Sequence, residues 1–120
     1  MAINPNLSGA IPAQPLNTIV CPGCNTTIQV VASNADTYQW QLFNGSIWVD
    51  LSDSGIHFGT TTATLSITNA SISDNGNQYR VVISNTLYVC DIVTTDIAIL
   101  TVNVSSVITN RRITYRVKKN

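Results

Sequence analysis

Apolar and polar residues alternate with a period of two through most of the chain after residue 17. Such alternation puts every second side chain on the same face of a strand, and Gly- and Asn-containing turns interrupt it about every 8–12 residues. Val, Ile and Thr dominate the alternating runs, and no helix of ordinary length is predicted. Strands are expected over residues 27–33, 37–43, 47–51, 63–68, 78–84 and 96–104.

The two ends of the chain differ from this central part. Pro5, Pro12 and Pro15 exclude a helix or a central strand near the N-terminus, so an extended arm is expected there. Residues 105–120 form a second, basic arm or strand. The sequence therefore predicts an arm over residues 1–17, a β-sandwich over 18–104 and an arm over 105–120.

The last ten residues form an amphipathic pattern. Ile113, Tyr115 and Val117 would share one face of an extended strand, with basic residues on the other. A disordered basic tail has no need of such an apolar stripe, so we expect this segment to add to the sheet edge of a partner. The predicted partner-binding residues are Arg111, Arg112, Ile113, Tyr115, Arg116, Val117, Lys118 and Lys119.

A formal net charge of zero conceals a division along the chain. Six Asp and a single Arg, Arg80, give residues 1–110 a net charge of −5, and residues 111–120 carry +5. Such a tail could bind nucleic acid through counterion release, but the acidic body would repel a polyanion. We therefore favour a protein partner over nucleic acid.

Composition argues against several classes of protein. No apolar run approaches the ~20 residues of a membrane span, and the segment after Met1 lacks the regions of a secretory signal. The sequence has no Glu and one His, so it contains few residues suited to acid–base catalysis. No enzyme activity, cofactor or metal is therefore predicted. We interpret His57 as an ordinary loop histidine, and Asp50, Asp53 and Asp74 as turn residues rather than calcium ligands.

The order of these features resembles an immunoglobulin-like domain. Ile28-x-Val30-x-Ala32 precedes the YQWQ run of residues 38–41, then come Leu65-x-Ile67 and the DNGNQY run of residues 74–79. About residues 18–104 are similar to immunoglobulin-like repeats of bacterial surface proteins and tailed-phage virions. The resemblance implies an all-β, Greek-key sandwich of two antiparallel sheets.

Several residue roles follow from that resemblance. Trp40 would be the core tryptophan, and the hydroxyl of Tyr79 would close a tyrosine corner. Val30 and Val81 would occupy the two positions that hold the inter-sheet disulfide of antibody domains. The predicted core markers are Val30, Trp40, Leu65, Tyr79 and Val81.

The three cysteines leave alternatives open. A zinc site formed by Cys21, Cys24, Cys90 and His57 has no usual spacing, and a redox dithiol lacks the helix that normally follows it. Some bacterial immunoglobulin-like repeats carry one Cys before strand B and another after strand F. That resemblance implies a disulfide of Cys21 or Cys24 with Cys90, and reduced thiols are the alternative.

These observations favour a non-enzymatic structural or interaction protein. We expect a phage virion protein, either a capsid decoration or a head or tail accessory, that is displayed at the virion surface and held by its arms. The alternative is a module of a secreted adhesin on a bacterial cell surface. Expected partners are further copies of the chain or other surface subunits, with glycans as candidate ligands of an aromatic face formed by Trp48, Phe58 and Tyr88.

Overall fold

The computed structural model of the chain describes residues 11, 13–87 and 92–103. These ranges contain nine strands and a short 3₁₀ helix, Ile72–Asp74. The strands are β1 (Thr18–Val20), β2 (Thr26–Gln29), β3 (Thr37–Phe43), β4 (Trp48–Asp50), β5 (His57–Phe58), β6 (Thr64–Ile67), β7 (Gln78–Ser84), β8 (Val93–Thr94) and β9 (Ala98–Val102).

The strands form two sheets that face each other. The larger sheet has the order β1-β9-β7-β3-β4, with β8 also paired to β7, and the smaller sheet has the order β2-β6-β5. The predicted all-β sandwich is confirmed. One pair differs from the expected antiparallel arrangement, because β1 runs parallel to β9 with Thr18 opposite Leu100.

The parallel pair arises because the N-terminal segment crosses from one sheet to the other. Ala13 pairs antiparallel with Val31, next to the smaller sheet. Pro15 follows and is buried, and the chain then joins the larger sheet at Thr18. The side chain of Asn17 accepts a hydrogen bond from the N–H of Ile99 at 2.8 Å, which fixes this crossing beside β9.

Three short strands, β1, β5 and β8, were not predicted. With two or three residues each, they are too short for a period of two to be recognised. The expectation that His57 lies in a loop is wrong, because His57 pairs with Ile67 in the smaller sheet. The strand expected over residues 96–104 is present as β9, which begins at Ala98 and ends at Val102.

The core lies between the two sheets and includes all five predicted core markers. Trp40, Leu65, Tyr79 and Val81 have no exposed surface, and Val30 is 1% exposed. The indole N–H of Trp40 donates to the carbonyl oxygen of Thr62 at 2.7 Å, so the buried donor is satisfied.

Among the described residues there is no helix with the length and hydropathy needed to span a membrane.

Candidate interaction surfaces

A chain of side-chain contacts runs across the outer face of the larger sheet. The Arg80 guanidinium lies 4.2 Å from the centre of the Trp48 ring, and the Phe43 ring packs against Trp48 at 5.3 Å. Arg80 Nε donates to Gln41 Oε1 at 2.7 Å, and Gln41 Nε2 donates to Asp50 Oδ1 at 2.8 Å. We call these five residues the outer patch.

Strand register brings the outer patch together. In β3 the side chain of Trp40 points inward, so those of Gln41 and Phe43 on either side of Leu42 point outward. Gln41 lies opposite Arg80 on β7 and opposite Asp50 on β4, and Phe43 lies opposite Trp48. Sequence reasoning missed this cluster, although Asn44-Gly45 and the alternation on both sides of that turn could have paired Phe43 with Trp48.

Arg80 is the central residue of the outer patch. It is the one cationic side chain in residues 1–110 of the sequence, and it lies half-buried between an aromatic ring and an amide. Guanidinium groups stack on aromatic rings while their N–H groups remain available to acceptors. The outer patch therefore presents an aromatic surface with the positive charge of Arg80 held on it and the carboxylate of Asp50 beyond Gln41.

The aromatic residues predicted to form a glycan-binding face are not brought together on one sheet. Trp48 lies on β4 of the larger sheet, whereas Phe58, which is 42% exposed, lies on β5 of the smaller sheet. Tyr88 lies outside the described residues. The aromatic neighbour of Trp48 is Phe43, which the prediction did not include.

Cys21 and Cys24 form a disulfide with each other, and their Cα atoms are 5.4 Å apart. The turn between them is possible because Gly23 adopts a φ of +81°, which few other residues tolerate. Its N–H donates to the carbonyl oxygen of Ala70 at 2.6 Å, and the N–H of Ala70 donates to the carbonyl oxygen of Cys24 at 3.0 Å. The structure thus differs from the predicted pairing with Cys90, which lies outside the described residues.

The Tyr79 hydroxyl contacts side chains of neighbouring elements. It lies 2.8 Å from His57 Nε2, and Asn77 Nδ2 donates to it at 3.3 Å. A tyrosine corner joins the hydroxyl to a main-chain group, so these side-chain contacts differ from the expected corner. Burial raises the pKa of Tyr79 to about 12. Burial also lowers the pKa of His57, which the negative charge of Asp74 partly opposes.

A groove of about 540 Å³ lies between the N-terminal segment and β2. We call it the edge groove, because β1 and β2 are edge strands of the two sheets in the described part of the chain. Leu16 and Ile19 on one wall are 74% and 72% exposed, and Val31 on the other is 46% exposed. None of the described residues that line the groove is charged; they are Ala13, Gln14, Leu16, Asn17, Thr18, Ile19, Thr27, Ile28, Gln29 and Val31.

The predicted partner-binding residues cannot be placed on either surface. Residues 111–119 all lie outside the described part of the chain. The structure describes the chain up to Asn103, whose N–H donates to the carbonyl oxygen of Val20 at 3.2 Å. The last described residue therefore lies beside the end of β1.

Solved structures similar to this chain are immunoglobulin domains. Titin M4 is 28% identical with a TM-score of 0.57, and the match covers 78% of this chain and 93% of titin M4. The fold is that of an immunoglobulin domain. A chain of the complex between titin M10 and an obscurin-like 1 immunoglobulin domain is 19% identical with a TM-score of 0.57, and the match covers 78% of this chain and 91% of that one.

Other matches are parts of much longer chains. The immunoglobulin-like domain described here spans only 16% of the twitchin kinase region from C. elegans, with 20% identity, a TM-score of 0.57 and 78% of this chain covered. No protein-family model matches the chain, and a comparison with curated proteins finds no match either. The comparisons thus support the fold.

Proposed function

We propose that this immunoglobulin-like domain is a non-enzymatic protein-binding module and that the outer patch is its contact surface. The observation that carries the proposal is the Arg80 guanidinium held over Trp48 on an accessible sheet face. Trp and Arg are the residues most enriched at the energetic centres of protein interfaces. Here they are held in place before any partner arrives, so binding would cost little additional side-chain entropy.

The arrangement favours a protein ligand over a glycan. Sugars stack on the open faces of aromatic rings, and Arg80 already covers one face of Trp48. The next aromatic ring, Phe43, is tilted by 47° and does not extend the indole into a flat platform. A partner with an acidic group facing Arg80 and an apolar group facing Phe43 fits the patch better.

We further propose that the domain is displayed on the surface of a particle, with a phage virion as the favoured setting. A body with few charges and a strongly basic terminal segment suits attachment to acidic neighbouring subunits. The two arms would hold the domain while the outer patch contacts adjacent protein. The alternative setting is a bacterial cell surface, where the same domain would serve as a module of an adhesin.

Particle fractionation tests this proposal. The tagged full chain is produced in the cells that carry its gene, the particles are separated on a density gradient, and the tag is followed by antibody. We expect the chain to band with the particles and Trp48→Ala to reduce the bound fraction about tenfold, the effect of losing roughly 1.4 kcal/mol of contact energy. Phe58→Ala, an exposed aromatic residue on the other sheet, is the matched control and should bind normally.

Three results would contradict the proposal. The chain could remain in the soluble fractions, or Trp48→Ala and Phe58→Ala could reduce binding equally. Binding of the full chain to a glycan array that disappears in Trp48→Ala would replace the protein ligand with a carbohydrate and favour the adhesin.

A further inference from the structure

Main-chain groups of β2 face the edge groove. The N–H of Val30 donates to the carbonyl oxygen of Ala63 at 3.0 Å, whereas Val31 points the other way and exchanges hydrogen bonds of 3.0 and 3.4 Å with Ala13. Successive residues of a strand direct their N–H and C=O groups to opposite sides. The peptide groups of Thr27 and Gln29 therefore point, like those of Val31, into the groove that these residues line.

Pro15 explains why the N-terminal segment does not cover this edge. Ala13 lies opposite Val31, so continuing the antiparallel register would bring Pro15 opposite Gln29. Proline has no N–H to donate to the carbonyl of Gln29. The chain instead crosses to the larger sheet, and Ala13 is the one described residue that pairs with the edge of this strand opposite β6.

An open strand edge beside exposed apolar side chains can accept an added strand. Main-chain hydrogen bonds provide affinity in this mode of binding, and alternate side chains provide specificity. The edge groove offers the main-chain groups of Thr27 and Gln29 together with the apolar side chains of Leu16, Ile19 and Val31.

We propose that the edge groove binds residues 111–119 of a second copy of this chain as an additional strand on β2. Ile113, Tyr115 and Val117 face the apolar wall, and the basic residues between them face solvent and nearby carboxylates. Asp96 is one such neighbour, since its N–H donates to Gln14 Oε1 at 3.0 Å and its side chain is exposed. The inference rests on the proposed attachment through the arms. It identifies the edge groove as the surface that binds the C-terminal arm.

The path of the chain favours a second copy over the chain's own tail. The last described residue, Asn103, lies beside the end of β1, where the Cys21–Cys24 turn connects β1 to β2. To reach its own groove, the tail would have to cross this connection at the same end of the sandwich, which protein topologies avoid. The seven residues between Asn103 and the proposed strand extend at most ~25 Å, which reaches a copy packed beside this end of the sandwich.

Self-association of the full-length chain, measured by sedimentation velocity over a range of concentrations, tests the proposal. Gln29→Pro removes an N–H that points into the groove, and proline is tolerated at such edge positions. We expect it to weaken self-association about tenfold, which corresponds to one lost hydrogen bond of about 1.4 kcal/mol. Gln29→Ala keeps the N–H and should associate like the parent chain.

A second pair of variants keeps the test decisive if Gln29→Pro does not fold. Tyr115→Ser removes the centre of the apolar stripe and should weaken association, whereas Thr114→Ser on the opposite face should leave it unchanged. A photo-cross-linker at residue 113 in a mixture of isotopically light and heavy copies should join a light tail to the heavy segment 13–31. These mixed products identify the second copy as the occupant.

The inference is overturned if the chain is monomeric at every concentration, if Tyr115→Ser and Thr114→Ser associate equally, or if cross-links form only within one copy. The proposed function has a separate readout, since Trp48→Ala should reduce particle binding and leave self-association intact. Normal particle binding without self-association would therefore remove only the groove proposal. Normal self-association without particle binding would remove only the proposed function.

Discussion

The two tryptophans of this domain occupy neighbouring strands of one sheet and point in opposite directions. Trp40 on β3 is completely buried, and its N–H donates to Thr62. Trp48 on β4 is half-buried on the outer face, packed against Phe43 and covered by Arg80. Trp40 therefore packs between the two sheets, whereas Trp48 forms part of an accessible surface. The face of the sheet to which each side chain points determines this difference.

Replacing the inner tryptophan should have the largest effect. Trp40→Ala leaves a large cavity between the sheets and the carbonyl of Thr62 without its donor, so we expect a loss of about 3–5 kcal/mol in the free energy of unfolding. Urea unfolding followed by circular dichroism measures this. Phe43→Ala, an aromatic truncation on the outer face, is the matched control. A loss below about 1 kcal/mol for Trp40→Ala would show that Trp40 does not hold the core.

The buried Tyr79 hydroxyl should contribute less than the ring of Trp40. Tyr79→Phe keeps the ring and removes the partner of His57 Nε2, so we expect a loss of about 1–2 kcal/mol, within the range for a buried hydrogen bond. Tyr38→Phe changes a half-buried tyrosine in the same manner and serves as the control. Equal unfolding midpoints in urea for these two variants would contradict a stabilising role of the Tyr79–His57 contact.

The outer tryptophan should matter little for stability. Trp48→Ala removes a cation–π contact at a half-exposed site, so we expect a change within about 1 kcal/mol, while binding falls about tenfold. Thermal unfolding and the gradient fractionation separate these two effects. If Trp48→Ala destabilises the domain as much as Trp40→Ala, both tryptophans belong to the core and the outer patch loses its assigned role.

The difference between the two tryptophans also explains what the sequence could predict. Alternation in the run around Trp40 and in QYRVVIS, residues 78–84, predicted two strands, because alternation is visible within each run. The resemblance to immunoglobulin-like domains then implied that Trp40, Tyr79 and Val81 are core residues, and all three are buried. The stack of Arg80 on Trp48 depends on the register of β7, β3 and β4 together, which no single run of residues contains.

The cysteine pairing was also not predicted correctly from the sequence, because a long-range pair was expected and a local pair forms. The resemblance suggested a long-range partner for Cys21 or Cys24, but a glycine at position 23 allows a turn that brings these two residues together locally. His57 was missed as a partner of Tyr79 because β5 has only two residues and 22 positions separate the pair. Short strands and distant side-chain contacts leave almost no periodic signal in the sequence.

The smallest predicted effect comes from His57, on the inner side of the sandwich. Burial lowers the pKa of this histidine in the folded state, so an unfolded chain takes up a proton more readily once the pH falls below about 6.5. The free energy of unfolding should therefore decrease between pH 7.5 and 5.5, and level off only when the folded state is protonated too. Urea unfolding at pH 7.5, 6.5 and 5.5 measures this slope.

Two variants separate His57 from the other groups that titrate. His57→Gln cannot take up the proton and should remove most of the slope while retaining a polar contact with Tyr79. Asp74→Asn should make the slope with pH steeper, because the negative charge of Asp74 raises the pKa of His57 and so opposes part of the effect of burial. Asp53, whose pKa is lowered by its hydrogen bonds with Thr60, contributes only when the pH falls below about 4. A slope in His57→Gln equal to that of the parent chain would assign the pH dependence to another group and leave the His57–Tyr79 contact without a role in it.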